Sequence, residues 1–180
     1  RWLSDWSSDV CSSDLDKYLL TATLRNDASS RFAEAHRWGL FPSVAFAWKM
    51  IEEEFLKNNP LISNLKLRVG YGVTGQQDGL ANYYHIPRYT TSGLNYQYGI
   101  GNTNYSTVWP QVYNPDLKWE ETATTNIGID YGFFDHRITG SVDVYQKNTK
   151  DLLNAITIPY GLSFGSTMIK NIGSMVNKGI

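Results

Sequence analysis

Gly161-Leu162-Ser163-Phe164-Gly165 has the G-x-S-x-G spacing of a serine nucleophile turn. That chemistry needs a strand before the serine, a helix after it, and an acid and a histidine later in the chain. The last histidine is His136, upstream, and Gly165 and Gly173 disfavour a following helix. The motif therefore reads as a Gly-rich turn between strands. His36, His85 and His136 stand alone, without i, i+4 pairing or an acidic or cysteine cluster at metal-ligand spacing. Gly99-Ile100-Gly101 lacks the third glycine of a dinucleotide fingerprint. Glu52, Glu53 and Glu54 read as a solvated face rather than an acid site. No catalytic set, metal site or cofactor is expected, and the chain is not expected to be an enzyme.

The stretch from Gln76 to Glu121 is richer. Tyr83, Tyr84, Tyr89, Tyr96, Tyr98, Tyr105, Trp109, Tyr113 and Trp119 crowd a connection too long to be a simple turn. Such rings prefer burial, which argues against disorder. Their flat faces and polar tips suit stacking on sugar rings or docking a partner protein; packing of the loop against itself is the plainer reading. Trp119 leads into a strand and is expected to anchor an interface.

The elements that would position these rings have period 2. Tyr18, Leu20, Ala22 and Leu24 alternate with Leu19, Thr21, Thr23 and Arg25; Leu40 to Trp48, Leu65 to Thr74, Thr124 to Phe133 and Arg137 to Tyr145 behave alike. Successive strand side chains point to opposite faces, so each segment has two sides. One side carries no charge; the other carries Arg25, Lys66, Arg68, Asp130, Arg137 and Asp143. Two environments explain this: a soluble sandwich, or a membrane barrel with the apolar face in lipid. The segments run near the 9–11 residues of a tilted bilayer-crossing strand. Connections alternate, from Phe134-Asp135-His136 to the long loop at 76–121. With the short turn on the periplasmic side, Tyr18, Trp48, Tyr131 and Phe133 fall at one membrane edge, as an interfacial girdle would. Pro42 calls for a bulge or broken pairing at Phe41-Pro42-Ser43. Ile51 to Asn58 predicts one short helix at the periplasmic rim. The expected fold is all-β, a partial antiparallel transmembrane barrel of about five to seven strands.

Composition agrees. The chain has 180 residues, 42% hydrophobic, 14% aromatic and 18% charged, with a net charge of −1. This excludes a disordered chain and gives no basic patch for nucleic acid. Residues 1–15 stand apart: Asp5 to Leu15, DWSSDVCSSDL, resembles the conceptual translation of a sequencing adapter, so a non-native tail is expected there and Cys11, the one cysteine, is assigned no function. Residues 16–180 form the expected barrel section.

Four stretches in that section resemble the SusC/RagA family of TonB-dependent outer-membrane transporters of the Bacteroidota. They are Ser29-Ser30-Arg31-Phe32 with Arg37 to Ser43 (RWGLFPS); Leu65 to Gly75 (LKLRVGYGVTG); Asn114 to Glu120 (NPDLKWE); and Asn171-Ile172-Gly173 through Asn177-Lys178-Gly179. Gln76 departs from the asparagine often found after the Thr-Gly pair. The resemblance implies a 22-stranded barrel filled by a plug, energised by the TonB complex and covered by a SusD-like surface lipoprotein, importing glycans or peptides across the outer membrane. It implies that Tyr83, Tyr84, Tyr89, Tyr96, Tyr98, Tyr105, Trp109 and Tyr113 contact ligand or lid. Arg25, Lys66, Arg68, Asp130 and Asp143 would face the lumen, along a substrate path or against the plug. A passive porin or adhesin-like barrel and a secreted carbohydrate-binding sandwich are the alternatives. The transported substrate is not legible in these residues.

Overall fold

A computed structural model describes residues 6–15, 17–56, 59–91, 97–163 and 165–180, with side chains from residue 17 onward. Thirteen strands follow in order: β1 Trp6–Leu15, β2 Tyr18–Ala28, β3 Trp38–Lys49, β4 Ile62–Gln76, β5 Tyr89–Thr91, β6 Gln97–Ile100, β7 Thr103–Ser106, β8 Val108–Pro110, β9 Glu120–Phe133, β10 Ile138–Lys150, β11 Leu153–Thr157, β12 Thr167–Asn171 and β13 Ser174–Gly179. Seven of them make one antiparallel sheet in the order β1-β2-β3-β4-β9-β10-β13. Every period-2 segment lies in a strand except at Arg137, which falls in the turn before β10, and the strands run up to 15 residues, well beyond the usual five or six.

Register builds the two faces. Leu20, Phe46, Val69, Ile127 and Val144 are cross-strand neighbours in one row over five strands. Each stands on the apolar side, where Val44, Ile127 and Val144 remain 46%, 49% and 50% exposed. A sandwich would bury this side beneath a second sheet; among the described residues none lies over it, and the isolated sheet is not closed. The apolar face is left uncovered.

The edges differ as a barrel requires. At one end lie the links before Tyr18, between β3 and β4, and between β9 and β10; at the other lie the segments 29–37, 77–119 and 151–173. Tyr18 pairs with Trp48 at the short-link end, and Tyr131 and Phe133 lie at that same end. Tyr18 stacks on Trp48 with centroids 6.2 Å apart, and Tyr131 meets Phe133 at 5.7 Å.

Pro42 breaks pairing on one side only. Its register with Leu24 on β2 is continuous, whereas the β3–β4 ladder stops at Ser43 opposite Gly72. Proline has no N–H to give the β4 side, and the freed end of β3 turns Phe41 toward the loops.

The helix expected over 51–58 is instead a 3-10 turn, Met50–Glu52. Further i→i−3 turns follow, from the Leu56 N–H to the Glu53 carbonyl and from Asn59 to Leu56. Glu53 leaves helical geometry at φ −79° and ψ 144°. Its carboxylate is drawn to the strands, accepting from the Tyr18 hydroxyl at 2.7 Å and the Trp48 indole at 3.1 Å, and pairing with Lys17 at 3.3 Å. Three contacts outweigh one turn of α-helix, whose nucleation is unfavourable. Glu53 is thus no solvated face residue.

Residues Trp6–Leu15 pair along β2, with a bulge at Cys11 between Val10 and Ser12. A free strand edge accepts any backbone in register, which explains a strand without alternating side chains.

Candidate functional site

The three long segments pack together at one end of the sheet. Phe32, Phe41, Leu80, Leu117 and Trp119 form the buried core among the described residues, flanked by Val73, Tyr84, Leu153 and Ile169. Trp119 meets Phe32 at 5.2 Å and Phe41 edge-on at 5.4 Å, and its indole N–H donates to the Arg37 carbonyl at 3.1 Å. At 7% exposure Trp119 is not an interface anchor. It ties the segment 29–37 to the start of β9 and fills the opening beside the unpaired end of β3.

The surrounding motif residues act as ties. Asn114 donates to the Ile169 carbonyl at 3.1 Å, and its own side-chain oxygen accepts the Asp116 N–H at 3.0 Å. Asn171 brackets Lys118, accepting its N–H and donating to its carbonyl at 2.8 Å. Glu120 accepts the Leu153 N–H at 3.0 Å, and Lys118 pairs with Asp151 at 2.8 Å. Arg31 reaches the Gln77 carbonyl at 2.8 Å. The NPDLKWE run thus holds the loop platform together.

On this platform the loop 77–119 is not irregular: β5 pairs β8 and β6 pairs β7, two short ribbons in series. The aromatic residues divide by environment. Tyr84 is half-buried against the core, its hydroxyl accepting the Ile169 N–H at 3.2 Å. Tyr83, Tyr89, Tyr98, Tyr105 and Tyr113 are exposed, and Tyr98 faces Tyr105 across the outer ribbon. Trp109 is half-buried on β8, and Tyr96 lies outside the described residues. Between this ribbon and β12 is a cavity of about 620 Å³ lined by Tyr84, Trp109, Pro110, Val112, Thr167 and Ile169 among others. A second, of about 410 Å³, opens beside Arg25, Asp27, Gln76, Gln77, Asp78 and Trp119.

The polar-face charges largely neutralise one another. Arg25 pairs with Asp27 at 2.8 Å and lies over the Phe41 ring at 5.6 Å. Arg68 holds Asp130 with two bonds, 2.8 and 3.0 Å, and reaches Asp143 at 3.0 Å. Lys66 has no such partner among the described residues. Gly161 and Ser163 sit beyond β11, in the connection closed by the Ile158 N–H to Ser166 carbonyl bond at 2.9 Å, and strand β12 rather than a helix follows; Phe164 lies outside the described residues. Of the histidines, His36 ends a 3-10 turn, His85 contacts the Arg31 carbonyl at 3.2 Å and His136 lies in the β9–β10 turn. The roles of Glu53 and Asn171 escaped sequence reasoning; only their three-dimensional partners identify them.

This arrangement has known counterparts. The family described as TonB dependent receptor-like, beta-barrel matches residues 10–180. The chain is 48% identical over 166 residues, 92% of its length, to TonB-dependent receptor SusC of Bacteroides thetaiotaomicron, and 43% identical over 163 residues to TonB-dependent receptor P39 of Formosa agariphila. It spans 17% and 15% of those two proteins. It superimposes on the RagAB peptide importer in its closed-closed state with a TM-score of 0.77 and 31% identity, over 90% of this chain and 17% of that one. The open-open state gives a TM-score of 0.75. One-sided strands, one edge of long co-packed loops and these similarities lead to one assignment: the chain belongs to the TonB-dependent receptor-like β-barrel family.

Proposed function

We propose that this chain is one section of an outer-membrane, TonB-energised importer of oligosaccharides or peptides. The single observation that carries the reading is the uncovered apolar row Leu20, Phe46, Val69, Ile127 and Val144, on strands long enough to cross a bilayer, with Lys66, Arg68, Asp130 and Asp143 on the opposite face. Lipid meets that row. Tyr18, Trp48, Tyr131 and Phe133 sit at the headgroup level of the periplasmic edge. Arg25, Lys66, Arg68, Asp130 and Asp143 face the lumen.

The loop platform then faces outward from the cell. Exposed Tyr83, Tyr89, Tyr98, Tyr105 and Tyr113, with Trp109 beside its cavity, contact substrate or a SusD-like lid lipoprotein. Flat rings bury large areas at little conformational cost, as such contacts need. No chemical step is assigned to the chain; its work is to form wall and mouth. The superimposed structures are of a peptide importer, which supports peptide cargo; oligosaccharide cargo rests on the family resemblance.

Uptake by cells that depend on the full-length protein tests this. Oligosaccharide or oligopeptide accumulation should require an energised TonB system. Uptake that persists undiminished without TonB would make the protein a passive barrel.

A further inference from the structure

Lys178 stands on the apolar face of the sheet, short of the loops. It lies on β13 opposite Gln146 of β10, and Gln146 lies opposite Thr125 of β9. The next row on that face, toward the short-link edge, is Val144 and Ile127, both about half exposed. Alternation puts all five side chains on one side. Lys178 is exposed, with no carboxylate at ion-pair distance among the described residues.

Its depth follows from the aromatic edge. Thr125 is six residues along β9 from Tyr131, about 20 Å at about 3.3 Å per residue. A strand tilt of about 40° makes that about 15 Å across a bilayer. Tyr18 and Trp48 share a row with Leu67 and Ile129, while Tyr131 is one row nearer the short-link edge. Rows thus climb away from the aromatic level on going from β2 to β9. At the same slope two further strands bring Lys178 to about 20 Å, near the top of an apolar band about 25 Å tall. A lysine there extends its ammonium to the outer headgroups.

Beside Lys178 the face is hollow. A groove of about 630 Å³ has Ile127, Val144 and Ile180 along one part and Thr125, Gln146 and Lys178 along the other. Bare hydrocarbon satisfies the first part and leaves the cation without a counter-charge. A hydrated anion satisfies the cation and cannot use the apolar floor. We infer that this groove holds one phosphate-bearing acyl lipid of the outer leaflet. A chain lies on Ile127, Val144 and Ile180, and the phosphate sits on Lys178, with the Gln146 amide and the Thr125 hydroxyl as further donors. The inference rests on the reading that the apolar face meets lipid.

Native mass spectrometry of the full-length transporter extracted from outer membranes tests it. The wild type should carry a phosphate-bearing lipid of discrete mass, retained in Lys178→Arg and reduced about fivefold or more in Lys178→Gln. Ile127→Trp, which fills the floor and leaves the lysine in place, should lose it too. Retention unchanged by Lys178→Gln, a retained lipid without phosphate, or inorganic phosphate in its place would overturn the inference. Loss in Lys178→Gln with full retention in Ile127→Trp would reduce the site to headgroup attraction and overturn the groove. A second copy of the barrel seated there, seen as a dimer that Lys178→Gln dissolves, would overturn it as well. In intact membranes Val44→Cys, remote on the same face, reports on the underlying reading separately. Shielded from a water-soluble maleimide, it leaves the face in lipid whether or not the groove is occupied; freely labelled, it removes both.

Discussion

Arg68 on β4 bonds Asp143 on β10 at 3.0 Å across an intervening strand, passing over Gly128 on β9. A Cβ at Gly128 would lie 2.2 Å from the nearer Asp143 carboxylate oxygen and 2.9 Å from the guanidinium. The triad with Asp130 thus ties three strands at one register, and its geometry exists only because residue 128 has no side chain.

Gly128→Ala should therefore break the Arg68–Asp143 bond. Alanine gains roughly 0.5–1 kcal/mol of backbone entropy over glycine in a strand. The atoms its Cβ would meet are the far ends of the Asp143 and Arg68 side chains, which can swing aside. The loss is that of the pair alone, and the net change in stability should stay within about 1 kcal/mol. The ion pair itself is about one-third exposed and contributes at most about 1 kcal/mol after solvent screening. Asp143→Ala should accordingly cost little alone, and Gly128→Ala added to it should be more favourable than Gly128→Ala in the wild type, because no carboxylate is left to displace. Denaturant midpoints of the four variants in the cycle measure this; purely additive effects would refute it.

Glu53 gives the rim a pH dependence. The Tyr18 hydroxyl, then the Trp48 indole, then Lys17 favour its charged form and hold the carboxyl below its ordinary value of 4.5. A lowered folded value means stability that is present above 4.5 and lost as the pH falls through the folded value. Wild type should melt above Glu53→Gln at neutral pH, and the two curves should converge on acidification below 4.5. A gap that stays constant down to strongly acid pH would show that the carboxylate does not act by its charge.

Trp119 should be the most costly loop truncation. Trp119→Ala removes a nearly buried ring touching Phe32 and Phe41, at a cost of roughly 3–5 kcal/mol. Trp119→Phe keeps ring contact and loses the indole bond to the Arg37 carbonyl. That carbonyl still accepts the Ser29 N–H at 3.1 Å, so the loss should be near 1 kcal/mol. Limited proteolysis within residues 77–119 reads both: rapid for alanine, close to wild type for phenylalanine.

Strand positions and faces were legible because a two-residue period survives in every strand wherever one side meets an apolar medium. Pro42 foretold a broken ladder, although the register alone reveals that only the β4 side breaks. What escaped depends on contacts distant in sequence. The Glu52-Glu53-Glu54 run reads as helix by propensity, but Tyr18 and Trp48, 35 and five residues away, capture Glu53 and unwind it. Trp119 reads as an interface ring because nothing local announces Phe32 or Phe41. The short ribbons at Tyr89–Thr91 and Gln97–Ile100 have too few residues to display a period.

The β9–β10 turn stores strain that one substitution should release. Phe134, Asp135 and His136 are consecutively left-handed, at φ 54°, 48° and 62°, a conformation that costs L-residues roughly 1–2 kcal/mol each. Neighbouring strand links hold it: the Phe134 N–H donates to the Leu61 carbonyl at 3.0 Å and the His136 N–H to the Ser63 hydroxyl at 3.0 Å. Asp135 lies between these anchors. Glycine there accepts a positive φ without steric cost, so Asp135→Gly should raise stability by about 0.5 kcal/mol or more after the entropy of the unfolded glycine is deducted. Asp135→Val, β-branched and poorly suited to positive φ, should lower it by about 1 kcal/mol or more. Denaturant unfolding of the full-length barrel measures both, and opposite signs are the expected result. A loss of stability in both variants would mean that the Asp135 side chain, rather than its backbone angle, sustains the turn.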